Sequence, residues 1–273
     1  MKMKKLLLTV FICLNSSISY ACINTYVFDL GRDGIDKKTA LKKLKNSNKK
    51  PKTYKEMNDY GVLLIYSHQY DSAIKIFKDI ETKHPLLAKT AANLGTAYEL
   101  KGDLKKATYW IGEGIKRDSN IHEGSEWIHL KILDAQMEQQ KNPNWIRSND
   151  VLGLDFGDRA APKAKVKTLK FKNQTLSLEN ILAHSKIQMD QRLRFVNHDP
   201  ISAQIIFNMA NIEVIQMSRE EDVAPVLYST ARRLGYSHPE LLQMRKDYIA
   251  SSKWYAFKRF FAEITHFFRH LMV

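Results

Sequence analysis

The sequence predicts an all-α protein, with paired helices in its first half and a further helical region at its C-terminal end. Glycine and proline are rare, at 11 and 7 of 273 residues, which favours long helices over many turns. Apolar residues recur every three or four positions in several segments, as they do along one face of a helix. Residues 54–121 also repeat small and apolar residues at a spacing of 34.

Residues 1–21 have the pattern of a secretory signal peptide and are excluded from the predicted fold. Lysines at positions 2, 4 and 5 precede a short apolar run at residues 6–14, and Ser19 and Ala21 are small residues before a cleavage point. The apolar run is shorter than the roughly 20 residues that a membrane-spanning helix needs. We expect an exported protein, located in the periplasm or anchored to a membrane of the envelope.

Cys22 would then be the first residue of the mature chain and its only thiol, which excludes an internal disulfide. A cysteine directly after a cleavage point suggests a bacterial lipoprotein, in which this residue is acylated. Ser19 and Tyr20 depart from the residues that usually precede such a cysteine. Lipidation of Cys22 and an ordinary free N-terminal cysteine both remain open.

The chain is strongly basic, with a net charge of +14, and loss of the three signal-peptide lysines would leave +11. A basic protein prefers anionic partners. Export argues against nucleic acid, which leaves lipid headgroups, acidic glycans and acidic proteins. Residues 22–53 form a basic leader, and nine lysines without an acid run from Lys37 to Lys55. This block could be a solvated linker or a tether to an anionic membrane surface.

Two helical hairpins are predicted within residues 54–83 and 88–116. Gly61 and Gly95 lie 34 residues apart, and small residues at these positions would let paired helices touch closely. Proline at position 85 would end the second helix of the first hairpin. The residues predicted to pack the hairpins together are Tyr60, Gly61, Ala73, Phe77, Pro85, Leu94, Gly95, Tyr98 and Ala107.

These residues resemble the pattern of the tetratricopeptide repeat (TPR), a family of 34-residue helical hairpins that stack into an α-solenoid. Tyr70 and Gly102 also fit the pattern, whereas Gly114 and Ser119 stand where the family prefers alanine and proline. The resemblance covers about a quarter of the chain. It implies a groove, lined by the first helix of each hairpin, that binds a protein or peptide.

The resemblance also implies which side chains face the ligand in that groove. They are Lys55, Asn58, Val62, Ile65, Tyr66, Lys89, Ala92, Thr96, Glu99 and Leu100. Some of these side chains could instead simply face water. Asn93 fits the repeats that clamp a terminal carboxylate, but Val62 stands where the first repeat would need asparagine, and that ligand is not expected.

The remaining chain divides into three parts. Residues 122–139 predict a helix that caps the repeats, which makes residues 54–140 one array. Residues 141–176 are glycine-punctuated and lysine-rich, and predict either a long loop or short strands. Residues 177–273 predict helices again.

Capping residues place the helix starts in this last part. Ser177 and Asp199 are predicted N-caps, and capping boxes are predicted at residues 218–221 and 237–240. The spacing of Ala224, Tyr228 and Ala231 suggests a degenerate third hairpin.

The last predicted helix is aromatic and amphipathic. Its stripe consists of Trp254, Phe257, Phe261, Ile264, Phe268 and Leu271. Five charged residues between Lys253 and Arg269 argue against a membrane span. The helix could pack on its neighbours or on a partner, or it could lie in a lipid headgroup layer.

No catalytic constellation emerges from the sequence. His266 and His270 share a helix face, but no third metal ligand accompanies them. We therefore expect neither enzymatic activity nor a cofactor. The sequence predicts a non-catalytic scaffold that binds an unidentified protein or peptide in the cell envelope. The alternative is a membrane-surface or envelope structural lipoprotein.

Overall fold

The structure, a computed structural model, describes residues 23–27, 36–46, 51–217 and 222–271, and the side chains up to residue 264. The predicted signal peptide, Cys22 and the capping box at residues 218–221 lie outside the described residues. The side chains of His266, Phe268, His270 and Leu271 also lie outside them.

The described chain is mostly helical, which confirms the all-α class. Its helices are α1 Lys37–Asn46, α2 Tyr54–Tyr66, α3 Tyr70–Lys83, α4 Ala88–Lys101, α5 Leu104–Arg117, α6 Glu126–Lys141, α7 Trp145–Ser148, α8 Leu178–Arg192, α9 Pro200–Gln216, α10 Ala224–Leu234, α11 Pro239–Ser251 and α12 Lys253–Leu271. A 3₁₀ turn, Ile121–Gly124, precedes α6, and two strands, β1 Thr168–Phe171 and β2 Gln174–Ser177, precede α8.

Short loops join α2 to α3 and α4 to α5, and the helices of each pair pack against each other. Thr53 and Glu56 form a capping box that starts α2. Gly102 ends α4 in a left-handed conformation, with φ of 92°, that glycine adopts without strain. Contacts also join α3 to α4 and α5 to α6, which means that each helix from α2 to α6 packs on the next.

Glycine allows the paired helices to approach closely. A Cβ atom at Gly61 would lie 2.7 Å from the Phe77 ring, and one at Gly95 would lie 2.6 Å from the side chain of Ile111. The other residues expected to pack the hairpins differ in burial. Ala73, Phe77, Leu94, Tyr98 and Ala107 are buried, Tyr60 is half-buried, and Pro85 is exposed beyond the end of α3.

Helix α6 belongs to two hydrophobic cores. Leu133 packs into the core of α1–α5, whereas Trp127, Ile128 and Ile132 pack into the core of the C-terminal half. Helix α6, which the sequence predicts to cap the repeats, therefore also lines the core of the C-terminal half.

Two segments differ from simple linkers. Residues 37–46 of the basic leader form α1, which packs on α2 and buries Ala40. Residues 141–176 contain both elements that the sequence left open. A loop that buries Val151, Leu152, Leu154 and Phe156 leads to the antiparallel pair β1–β2.

The C-terminal half surrounds α9, in which every residue from 201 to 214 is buried. Ser177 and Asp199 cap α8 and α9 as predicted. The capping box predicted at residues 237–240 is wrong. His238 is the N-cap residue of α11, and no side chain accepts a hydrogen bond from the free N–H groups at the start of this helix. The Ser237 hydroxyl instead donates to the carbonyl of Ile146 at 3.4 Å.

A buried arginine ties α11 to this core. The Arg245 guanidinium donates to the Asn211 side chain and to the carbonyls of Phe156 and Gly157, and it lies 4.9 Å from the centre of the Phe207 ring. These partners replace water around a charge that burial would otherwise destabilise.

We predict that Gly95→Ala lowers the free energy of unfolding by up to about 2 kcal/mol. Overpacking against Ile111 costs typically 1–3 kcal/mol, and the gain in helix propensity offsets roughly 1 kcal/mol of it. Gly112→Ala in α5 is the matched control, because a Cβ there meets no atom within 4 Å. It should stabilise the protein by up to about 1 kcal/mol. Urea unfolding followed by circular dichroism measures both, and equal effects would contradict the close approach.

Candidate functional site

The candidate site lies where α2 and α4 meet the N-terminal segment at residues 23–27. Four side chains make the polar contacts to that segment, and together we call them the α2–α4 face. They are Asn58 and Asp59 of α2, and Lys89 and Asn93 of α4.

Two asparagines hold the main chain of Asn24. The Asn24 N–H donates to Asn93 Oδ1 at 2.8 Å. The Asn24 carbonyl accepts from Asn58 Nδ2 at 2.7 Å and from Asn93 Nδ2 at 2.8 Å. Both polar groups of this residue's main chain are therefore satisfied by side chains, as a neighbouring strand would satisfy them in a sheet.

Two charged side chains hold the residues that follow. The Asp59 carboxylate accepts hydrogen bonds from the N–H groups of Tyr26, at 2.7 Å, and of Val27. The ammonium of Lys89 donates to the Thr25 carbonyl at 3.3 Å and lies 4.7 Å from the centre of the Tyr26 ring. The contacts extend over four consecutive residues and fall mainly on the peptide backbone.

The side chains of the segment add two further contacts. Ile23 is 2% exposed and belongs to the same hydrophobic core as Val62 and Ile65. The Tyr26 ring packs edge-on against Tyr54, with the ring centres 5.8 Å apart. Burial, helped by Tyr54 and the Asp59 carboxylate, raises the pKa of Tyr26 to about 12. Tyr26 is therefore an uncharged phenol, and its ring packs against the Lys89 ammonium.

The asparagines are also held by contacts that do not involve the segment. Asn93 Nδ2 donates to Asn58 Oδ1 at 3.0 Å, and the Thr90 hydroxyl donates to the same oxygen at 3.4 Å. All three side chains are fully buried. Since their orientation is fixed, little rotamer freedom remains to be lost when a peptide binds.

The other end of α4 carries a network of buried ion pairs. Glu99 accepts from Arg192 of α8 and from His129 of α6, each at 2.6 Å. The second ring nitrogen of His129 lies 3.2 Å from Glu126, and Arg192 also bonds Asp199 at 2.9 Å. The network thus joins α4 and α6 to α8 and the start of α9.

The network determines the charge of its members. Burial alone would raise the pKa of Glu99 and of Glu126, but their cationic partners hold both pKa values well below the usual range. For Glu99 these partners are Arg192 and His129. Burial alone would likewise lower the pKa of His129, but Glu99 and Glu126 raise it from 6.5 to about 9. His129 is therefore a cation at neutral pH.

A cavity of about 220 Å³ adjoins this network and is lined by residues that include Thr96, Leu100, Gln136, Gln191 and Phe195. The Phe195 ring also packs against Tyr66 at 5.3 Å between ring centres. The C-terminal half thereby covers the end of the predicted groove that lies furthest from residues 23–27.

The predicted groove is therefore not an open surface. Lys55 and Lys89 are exposed, but Asn58, Val62, Ile65, Tyr66, Ala92 and Thr96 are buried, and Glu99 and Leu100 are partly buried. The expectation that these side chains are free to meet a ligand or water fails for the buried ones, because residues of the chain itself cover them.

Asp59 and Asn93 contact the segment but were not assigned to the site from the sequence. A signal for them exists, since they lie 34 residues apart and are polar residues at matching positions of the two hairpins. No comparable signal marks residues 23–27 as their occupant.

The chain matches no protein-family model, no curated protein and no solved structure. Among the residues described, no group of three or more histidine, cysteine, aspartate or glutamate side chains could hold a metal ion.

We predict that the free energy of unfolding depends on the charge of His129. Since its pKa is raised by folding, the stabilisation is complete below about pH 6.5 and is lost as the pH rises through about 9. The difference between 6.5 and about 9 corresponds to at most roughly 3 kcal/mol. Urea unfolding between these pH values should show a loss that His129→Gln lacks. Equal pH dependence in the two proteins would contradict this role.

Proposed function

We propose that this chain is an exported, non-catalytic scaffold of TPR type that binds a partner protein or peptide through the α2–α4 face. One observation carries the proposal. This face already holds a segment of the chain by its backbone, as a receptor can hold a peptide ligand through main-chain hydrogen bonds. The close packing at Gly61 and Gly95, 34 residues apart, supports the repeat architecture.

A non-catalytic role fits the arrangement of the titratable groups near the site. Glu99, Glu126, His129 and Arg192 neutralise one another in an ion-pair network that links two halves of the fold. We assign them to stability, since each charge is already paired and buried. Export, to the periplasm or to a membrane of the envelope, is part of the proposal through the signal pattern.

Helix α12 favours a second candidate function, attachment to an anionic membrane surface. Trp254, Phe257, Phe260 and Phe261 are 62%, 53%, 58% and 50% exposed. The rings of Trp254 and Phe257 stack with their centres 5.7 Å apart, and Lys258 lies exposed nearby. Aromatic and basic side chains together suit the headgroup layer of a bilayer.

This second candidate concerns the membrane surface only. In the part of the chain that the structure describes, every helix is too short or too polar to cross a membrane. An acylated Cys22 would add a second anchor, and two anchors hold a protein at a membrane far better than one.

In a chain whose residues 23–27 are loosened by Ile23→Asp, since these residues make the same contact with Lys89, we predict that Lys89→Glu weakens capture of a partner from the native cell envelope by about tenfold. The substitution places a carboxylate where Lys89 donates to a peptide carbonyl, at a cost of one charge-assisted hydrogen bond. Lys105→Glu on α5, made in the same chain, is the control that changes the charge by the same amount, because this lysine is also exposed. Affinity capture followed by mass spectrometry compares the two proteins. If no protein is recovered differently by them, the binding assignment is wrong.

For the second candidate, we predict that the chain floats with vesicles of phosphatidylcholine and phosphatidylglycerol. Replacing Trp254, Phe257 and Phe261 by serine should reduce partitioning by about tenfold or more, because burial of these rings drives binding. Tyr109→Ser is the control, since Tyr109 is 61% exposed but lies on α5. Absence of flotation, or equal flotation of all three proteins, would exclude this function.

A further inference from the structure

We propose that residues 23–27 are an intramolecular ligand, and that a peptide segment of a partner binds in the same backbone conformation by displacing them from the α2–α4 face. This inference rests on the proposed function in that it names the class of ligand and the way in which the site is kept closed. The ligand is a peptide that adopts the bent backbone of residues 23–27, with an apolar side chain in the place of Ile23 and an aromatic one in the place of Tyr26.

The bonds of the site are made to main-chain groups, which every peptide has. The Asn24 main chain makes three of them, and the N–H groups of Tyr26 and Val27 and the carbonyl of Thr25 make the rest. None of these bonds uses a side chain of the segment. A second peptide with the same backbone conformation could therefore form every one of them.

Selectivity would come from two side chains. Ile23 enters the hydrophobic core, where a charged residue would be strongly disfavoured. Tyr26 lies between the Lys89 ammonium and the Tyr54 ring, which favours an aromatic ring at that position. The site thus distinguishes peptides by the shape and polarity of two side chains, those at the positions of Ile23 and Tyr26.

The resident segment is not the best ligand that the site could hold. The side-chain nitrogen of Asn24 is buried without a hydrogen-bond partner among the described residues. An unpaired buried donor destabilises the bound state of the segment. A competing peptide that pairs or lacks this group would avoid that cost, and this favours displacement.

Covalent attachment compensates for the weaker fit. The segment and the site belong to one chain, and covalent attachment gives the segment a high effective concentration at the site. A free peptide must overcome this local competitor. The apparent affinity of the full chain for an added peptide is therefore the intrinsic affinity multiplied by the fraction of sites that the segment leaves free.

The test uses a fluorescent synthetic peptide with the sequence of residues 23–29 and measures its binding to the full chain by fluorescence anisotropy. The opened variant carries Ile23→Asp and Asn24→Pro. These substitutions weaken the binding of the resident segment and leave the four side chains of the α2–α4 face unchanged. We expect this variant to bind the peptide at least about tenfold more tightly than the unchanged chain does. Equal affinity of the two proteins would overturn the proposal.

Two changes in the opened variant examine the backbone contacts. Asn93→Ala should abolish the gain in affinity, whereas Asn173→Ala, in the exposed turn between β1 and β2, should leave it unchanged. A peptide methylated on the main-chain nitrogen of Asn24 lacks the donor to Asn93 and should bind at least about tenfold more weakly. Undiminished binding of the methylated peptide would overturn the backbone recognition.

Hydrogen exchange decides the matter if circular dichroism shows that the opened variant does not fold. In the unchanged chain the amides of Asn24, Tyr26 and Val27 should be protected, and excess unlabelled peptide should remove that protection. Exchange as fast as in an unstructured chain, or protection unaffected by the peptide, would overturn the proposal. Capture of a partner without peptide binding would remove this inference alone, and peptide binding without a captured partner would remove the scaffold function alone.

Discussion

The contact of Glu99 with Arg192 and His129 is the interaction on which the arrangement of the two halves depends. Removing an ion from water costs several kcal/mol in a protein interior, and only close pairing compensates for it. Glu99 belongs to α4, and its partners come from α6 and from the end of α8. A buried carboxylate that requires both partners therefore fixes the C-terminal half against the helical pairs.

This connection has a direct consequence for the α2–α4 face. When Arg192 reaches Glu99, the chain that follows it brings Phe195 against Tyr66 and covers one end of the predicted groove. The other end is occupied by residues 23–27, and there the polar side chains that contact them are asparagine, aspartate and lysine. Stability and recognition are thus separated along one pair of helices, with paired charges at one end and backbone-binding groups at the other.

Local sequence patterns predict the helices and strands, but they do not predict contacts between residues that are far apart in the sequence. The helical pairs, the N-caps Ser177 and Asp199, and the alternative of short strands before α8 follow from spacing and capping, because these depend on neighbouring residues. The contact between Glu99 and Arg192 spans 93 residues, and the one between Asn24 and Asn93 spans 69. No periodicity encodes such pairs. The sequence therefore identified the helices that form the site but not the segment that fills it.

The charges of the α2–α4 face also set the direction in which a peptide can lie. Asp59 can only accept hydrogen bonds and Lys89 can only donate them, so that N–H groups must point toward α2 and a carbonyl toward Lys89. A chain that ran in the opposite direction would present its groups in a different order along the same positions. Asn58 and Asn93 are less restrictive, because an amide side chain both donates and accepts. Direction is therefore imposed by the two charged residues, and close fit by the two asparagines.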